Sequence, residues 1–380
     1  MISQVSCNYF KIISLLVISA FVITALAGAY SVTPEGPVQE IYLCALNILN
    51  GGDFSLPEYE KYHQLFSQMS MRDNSAVWQD IYSLDSNGQR VLKHPHLMAL
   101  ILVPFLYLGG TAGLVFFSAM CVWWLLQILY CMLTKLIGRT PSSLSAYLLV
   151  AGTPFVFYAY SPSYDLLIVL LSIAGLFLML EKPLVAGILL GLPVFLRPIA
   201  IIPALFFLLA SQRGRGVSRK IQLLVGLALV GCAYSAYNYY CWGSPLASPH
   251  QRMPLYVNGE VVFNPSPTSF SLAILLSDWP SKLFGFEGGF LIYNVTLFCL
   301  VFSLPDLIKS PLRRELWCYI VAALVSFLLV YSYEGWKATL YGSRYLLVSH
   351  ALLSLVALVG IESFLERNRL LSTNKIVYLK

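Results

Sequence analysis

Apolar runs dominate the chain. A bilayer core of ~30 Å needs roughly 20 apolar residues in a helix. Eight segments approach or exceed that length: 12–29, 112–134, 143–160, 163–180, 219–238, 289–305, 316–333 and 343–361. A further stretch, 184–210, is apolar throughout except at Arg197-Pro198. As one helix it would bury an arginine near the bilayer centre, at a cost of at least a few kcal/mol. As two arms, 184–196 and 198–210, it becomes an out-and-back hairpin with Arg197 at its tip. The short apolar run 97–110 does not span, and is expected to dip into one leaflet or lie in the interface. Lys11 is the only charge in the first 34 residues, a poor n-region for a signal peptide. The first run therefore reads as an uncleaved span. The pattern predicts an all-α polytopic integral membrane protein with eight to ten membrane-crossing helices.

Composition closes off the alternatives. Hydrophobic residues make up 58% of the 380 positions and charged residues 11%, against about 45–50% and 25% in soluble domains. A water-soluble globular enzyme and an intrinsically disordered chain are both excluded. Of the eight cysteines none forms a C-x-x-C pair, so they read as small buried hydrophobes.

Charge then orients the chain. With the N-terminus cytoplasmic and 184–210 returning to the same side, the inner segments hold 15 basic and 5 acidic residues, a net of +10. The outer segments hold 9 basic and 13 acidic residues, a net of −4. A single crossing at 184–210 would move the Arg213–Lys220 cluster outside and weaken this asymmetry. The positive-inside rule puts both termini in the cytoplasm. The overall +6 thus reports orientation and not a nucleic-acid partner. Two outer loops result, 30–96 and 239–288. Residues 1–361 read as one transmembrane domain, and 362–380 as a basic cytoplasmic tail with no fold of its own.

The chemistry-bearing residues collect at the outer ends of the spans. Motifs of soluble enzymes, including the P-loop, G-x-G-x-x-G, H-E-x-x-H and G-x-S-x-G, are missing from the sequence. Glu35, Glu40 and Asp53 follow the first span, where a carboxylate at the lipid–water boundary suits a general base. Lys93, Arg197 and Arg344 are three cations on the acidic side, suited to an anionic lipid headgroup. A buried Arg197 needs a partner: an outer acid such as Asp165, or a ligand phosphate. His94 and His96 flank Pro95, a spacing that does not favour a metal site. Tyr341 and Tyr345 belong to a crowd of outer aromatics that form an interfacial belt or a face for stacking on sugar rings.

Several motifs in order carry a resemblance. Tyr42-Leu43, Ala45 and Gly52-Asp53-Phe54-Ser55-Leu56-Pro57-Glu58-Tyr59-Glu60 follow the first span. Lys93-His94-Pro95-His96 comes next, then Gly191-Leu192 with Arg197-Pro198. Tyr237-Asn238 with Trp242-Gly243-Ser244-Pro245 and finally Tyr341-Gly342-Ser343-Arg344-Tyr345-Leu346-Leu347 complete the set. Together these resemble the GT-C type glycosyltransferases, the dolichyl-phosphate-mannose mannosyltransferase-like group, over most of residues 10–361. The family's acid after the first span maps onto Glu35, though the usual acidic pair is here Glu35-Gly36. His96 and Ser343 stand where the family has prolines.

The resemblance implies an inverting transfer of a sugar from a polyprenyl-phosphate donor to a lipid, glycan or protein hydroxyl at the outer face. It implies Glu35, Glu40 or Asp53 as base. Lys93, Arg197 and Arg344 would sit on the donor phosphate, with His94, Asp165, Tyr341 and Tyr345 near the substrate. No cofactor is required, and a divalent cation finds no support in the sequence. A flippase of a lipid-linked sugar and a non-catalytic assembly partner are the rival classes. The outer loops lack an N-x-S/T acceptor, which favours a bacterial inner membrane. The triplet Asn294-Val295-Thr296 falls inside a span.

Overall fold

The computed structural model describes residues 2–24, 37–52, 82–84, 90–92, 96–159, 164–197, 200–201, 205, 217–246, 254–257, 260–263, 271–286, 289–309, 313–332 and 344–377. The fold is a helical bundle. Its helices are α1 (Ile2–Thr24), α2 (Pro37–Leu49), α3 (His96–Ile137), α4 (Ser143–Ala151), α5 (Tyr164–Leu178) and α6 (Pro183–Leu196). There follow α7 (Val217–Trp242), α8 (Leu272–Leu276), α9 (Trp279–Phe284), α10 (Leu304–Lys309), α11 (Arg313–Ser332) and α12 (Leu347–Val377). Tighter 3-10 turns occupy Pro154–Tyr158, Val295–Ser303 and Arg344–Leu346.

Among the described residues four helices are long and apolar enough to cross a bilayer: Ala112–Ile137, Val217–Trp242, Arg314–Ser332 and Arg344–Asn368. Shorter apolar helices, Tyr9–Ala20, Leu97–Gly110, Ser143–Tyr158, Tyr164–Leu178 and Pro183–Leu196, pack beside them. This is an integral membrane protein.

The run 97–110 is a short helix of its own, Leu97–Gly110: the backbone breaks at Gly110, where φ 56° and ψ −137° are open only to glycine, and the span Ala112–Ile137 turns back so that the Phe105 and Phe117 rings lie 5.0 Å apart. Two expectations change. The run 289–305 is not an α-helix, because Val295–Ser303 forms nine residues of 3-10 helix, long for that geometry. The basic end does not stop folding at 361, since α12 continues to Val377. The fold class is all-α, as expected; two short antiparallel hairpins, β1–β2 (Tyr82–Leu84 with Arg90–Leu92) and β3–β4 (Pro254–Val257 with Glu260–Phe263), lie in the two long loops.

The core is built around α12. Leu347, Ala351, Leu352, Leu355, Val356 and Leu358 are fully buried. The 3-10 stretch packs on it so closely that a Cβ on Gly360 would meet the Ser303 nitrogen at 2.4 Å. Polar groups fasten the same contact. Asn294 donates to Ser354 Oγ at 3.0 Å and pairs with His350 Nδ1 at 3.1 Å, and Ser303 Oγ donates to the Val356 carbonyl at 2.9 Å. By contrast α7 leaves Ile221, Leu224, Val225 and Leu229 exposed, an outward apolar face suited to lipid. Its inner side meets α6 through glycines, and a Cβ on Gly187 would lie 2.2 Å from the Leu223 carbonyl oxygen.

Charged side chains gather at the two ends of the bundle. At one end Lys135 pairs with Glu181 at 2.7 Å, and Arg139 pairs with buried Glu362 at 3.2 Å. Glu362 also accepts from the Ser142 N–H at 2.5 Å. Arg219 reaches the Leu180 carbonyl there at 3.4 Å. The other end holds Asp165, Arg197 and Arg344. From Arg344 to Glu362 the chain rises roughly 27 Å at about 1.5 Å per residue, close to the thickness of a bilayer core.

Candidate functional site

Three chain segments meet at the second end. Asp165 sits in the first turn of α5, where the helix dipole favours a carboxylate. Arg197 caps the C-terminus of α6, with extended φ −154° and ψ 113°, and its N–H bonds the Pro193 carbonyl at 2.7 Å. The sequence explains this stop, because Pro198 disfavours helical geometry in the residue before it. A cation at a helix C-terminus is also favourable. Arg344 opens the 3-10 turn that leads into α12. There the dipole works against a cation, so the carboxylate opposite it has to compensate.

The side chains converge on Asp165. Arg197 Nη1 lies 2.5 Å from one carboxylate oxygen, and Arg344 Nε lies 3.8 Å from the other. Asp165 is 2% exposed, while Arg197 and Arg344 are 16% and 15% exposed. Arg197 also donates to Tyr164 Oη at 2.8 Å. The Tyr345 ring lies 4.2 Å from the Arg197 guanidinium and 5.2 Å from that of Arg344, and its hydroxyl accepts from Arg344 at 3.3 Å. Aromatic faces of this kind hold guanidiniums in place at low cost in solvation. Two cations share one anion, so these three groups carry a net +1 in surroundings that exclude most water. Such a cluster is suited to an anion, since its donors are already aimed and held.

A cavity of about 30 Å3 opens against the cluster, lined by Asp165, Arg197, Arg344, Tyr345, Ser326 and Ser349 among apolar side chains. It holds one water-sized group. A sugar phosphate needs the lining to move. Ser326 and Ser349 were not legible as site residues, since an isolated serine in an apolar span carries no distinguishing signal. Their hydroxyls donate to the Ala322 and Ala323 carbonyls at 2.8 and 3.3 Å.

The pairing of Arg197 with Asp165, one of the two partners considered from sequence, is present. Tyr345 and Arg344 join it, and Tyr164, another of the outer aromatics, adds a further contact. Glu35, Asp53, Lys93, His94 and Tyr341 lie outside the described residues. Glu40 lies on α2, but its side chain also falls outside them. Among the described residues no cluster of three or more His, Cys, Asp or Glu side chains could hold a metal.

A protein-family model described as Glycosyltransferase family 87 matches residues 94–332, more than half of the chain. The matched stretch contains Asp165 and Arg197. Glu35, Glu40, Asp53, Lys93 and Arg344 fall outside it. No curated protein and no solved structure matches the chain.

Proposed function

Since the chain belongs to glycosyltransferase family 87, a GT-C-type family of polytopic membrane enzymes, we propose that it moves a sugar from a polyprenyl-phosphate donor to an acceptor hydroxyl. The observation that carries this reading is the pair of buried arginines on one carboxylate, with its net +1. A lipid-linked sugar phosphate is a diester with a single negative charge, which the cluster balances.

In the proposed reaction the acceptor oxygen attacks the anomeric carbon from the face opposite the phosphate. The bond from that carbon to the phosphate oxygen breaks, and the configuration inverts. The departing phosphate gains a second charge as the bond breaks, and Arg197 and Arg344, with Lys93, stabilise it. Preorganised donors of this kind are worth about 10²–10³ in rate each. The hydroxyl proton passes to a carboxylate. Glu35 is the first assignment, with Glu40 and Asp53 as alternatives. His94, Tyr341 and Tyr345 are assigned to the sugar.

We assign the reaction to the outer face of a bacterial inner membrane, with both termini in the cytoplasm. Lys135, Arg139, Lys182, Arg219 and Lys220 gather toward the end opposite the cluster, which supports this orientation under the positive-inside rule.

The test uses purified protein in proteoliposomes with a polyprenyl-phosphate sugar and a hydroxyl acceptor. Release of polyprenyl phosphate, with inverted configuration in the product, is expected. Movement of the intact headgroup across the bilayer without bond cleavage would assign a flippase instead.

A further inference from the structure

Residues 271–286 bury their lysine and expose several apolar side chains, with Asp278 exposed beside them. Lys282 is fully buried. Its ammonium donates to the carbonyls of Ile274, Leu275 and Ser277, the last two at 3.0 and 2.5 Å. Lysine is almost never fully buried in a segment that faces water. Meanwhile Leu272, Leu276, Phe284 and Phe286 are 68%, 62%, 52% and 80% exposed. Exposed Leu and Phe side chains favour an apolar neighbour, and exposed Asp278 favours a polar one, a combination that suits the boundary between lipid and water.

The segment is also held at a defined depth. Its first residue, Ser271, donates its N–H to the carbonyl of Ser332, the last residue of α11, at 2.9 Å. Tyr331 donates its hydroxyl to the Lys282 carbonyl at 2.8 Å, and Tyr293 donates to the Phe286 carbonyl. Phe290 and Leu291 pair with the carbonyls of Lys282 and Leu283, both at 2.8 Å. The exposed apolar residues therefore begin where the lipid-facing side of α11, with Leu324 and Leu328 exposed, comes to its end.

We infer that residues 271–286 lie within the membrane interface on the side of the arginine cluster, with Leu272, Leu276, Phe284 and Phe286 in contact with lipid acyl chains. The sequence reading had placed this segment in the second outer loop, 239–288. The binding partner is the bilayer, recognised by apolar area alone, since the segment's lysine is turned away from it. Ser326 and Val330, which line the cavity, are on the same helix as Tyr331. The lipid collar thus adjoins the cluster, on the leaflet where a lipid-linked substrate would reside.

Photo-crosslinking tests this without reference to activity. The full chain in proteoliposomes carries p-benzoylphenylalanine in place of Leu276, Phe284 or Phe286, one at a time, with Leu324 as the lipid-facing reference. Phospholipid adducts, read by intact mass after irradiation, are expected at all three positions with yields comparable to that at Leu324. Adducts at Leu324 with none at the other three would overturn the inference. Crosslinked dimers at these positions would assign the face to a second copy of the chain, and would overturn it equally.

Discussion

Replacing Asp165 by Asn keeps the shape of the side chain and removes its charge. Asp165 is buried, with Arg197 at 2.5 Å and Arg344 at 3.8 Å. Without the carboxylate, two mostly buried guanidiniums face each other's charge with only tyrosines beside them. Breaking a buried pair in this way costs about 3–5 kcal/mol. The residual exposure of both arginines places the expectation at the lower end, about 3 kcal/mol, or roughly a hundredfold in the folding equilibrium. Removing one arginine as well should return part of that loss, because the excess charge goes with it. We expect Asp165→Asn with Arg197→Gln to be about 1–2 kcal/mol more stable than additivity allows. Equilibrium unfolding by SDS in mixed micelles, followed by tryptophan fluorescence, measures both. A loss below about 1 kcal/mol in Asp165→Asn, with no recovery in the double variant, would refute the shared-carboxylate reasoning.

Other predictions concern packing and the opposite end. Gly187→Ala places a methyl group 2.2 Å from the Leu223 carbonyl oxygen, so α6 and α7 must separate, and the same unfolding assay should show a loss of about 1–3 kcal/mol. Glu362→Ala removes the acceptor for the Ser142 N–H and the partner of Arg139, and should cost about 1–3 kcal/mol. Lys135 holds the exposed Glu181 carboxyl below its ordinary range, chiefly through their hydrogen bond. A lowered carboxylate stabilises the fold at pH values above the ordinary carboxylate range, and the effect is lost as pH falls through the lowered value. In Lys135→Ala the carboxyl resonance of Glu181 should titrate at higher pH than in the parent, and an unchanged titration would refute the link.

Much of the cluster was legible because charge in an apolar run is conspicuous. Arg197-Pro198 announced both a helix stop and an arginine in need of a partner, and Asp165 stood near the start of the preceding helix. Local signals also located most apolar helices. They did not reveal how elements join. Gly110 ends the helix Leu97–Gly110 and turns the chain back into Ala112–Ile137, a choice set by the backbone freedom of one glycine. Lys282 gave no sign that it points inward, since its three carbonyl partners come together only when α8 folds back on α9. Asn294-Val295-Thr296 was read as a triplet within a span. Its role in fastening the 3-10 stretch to His350 and Ser354 depends on residues more than 50 positions away. Ser326 and Ser349 reach the cavity only through the packing of α11 on α12.

In the proposed reaction Arg197 and Arg344 act on the donor phosphate. The most direct measurement is steady-state release of polyprenyl phosphate from a polyprenyl-phosphate sugar in proteoliposomes, with Arg197→Gln and Arg344→Gln compared with the parent. Folding of each variant is confirmed by the SDS titration. Each variant should fall by about 10²–10³ in kcat/KM for the donor, with acceptor KM little changed. Parent-like turnover in both folded variants would contradict the central claim.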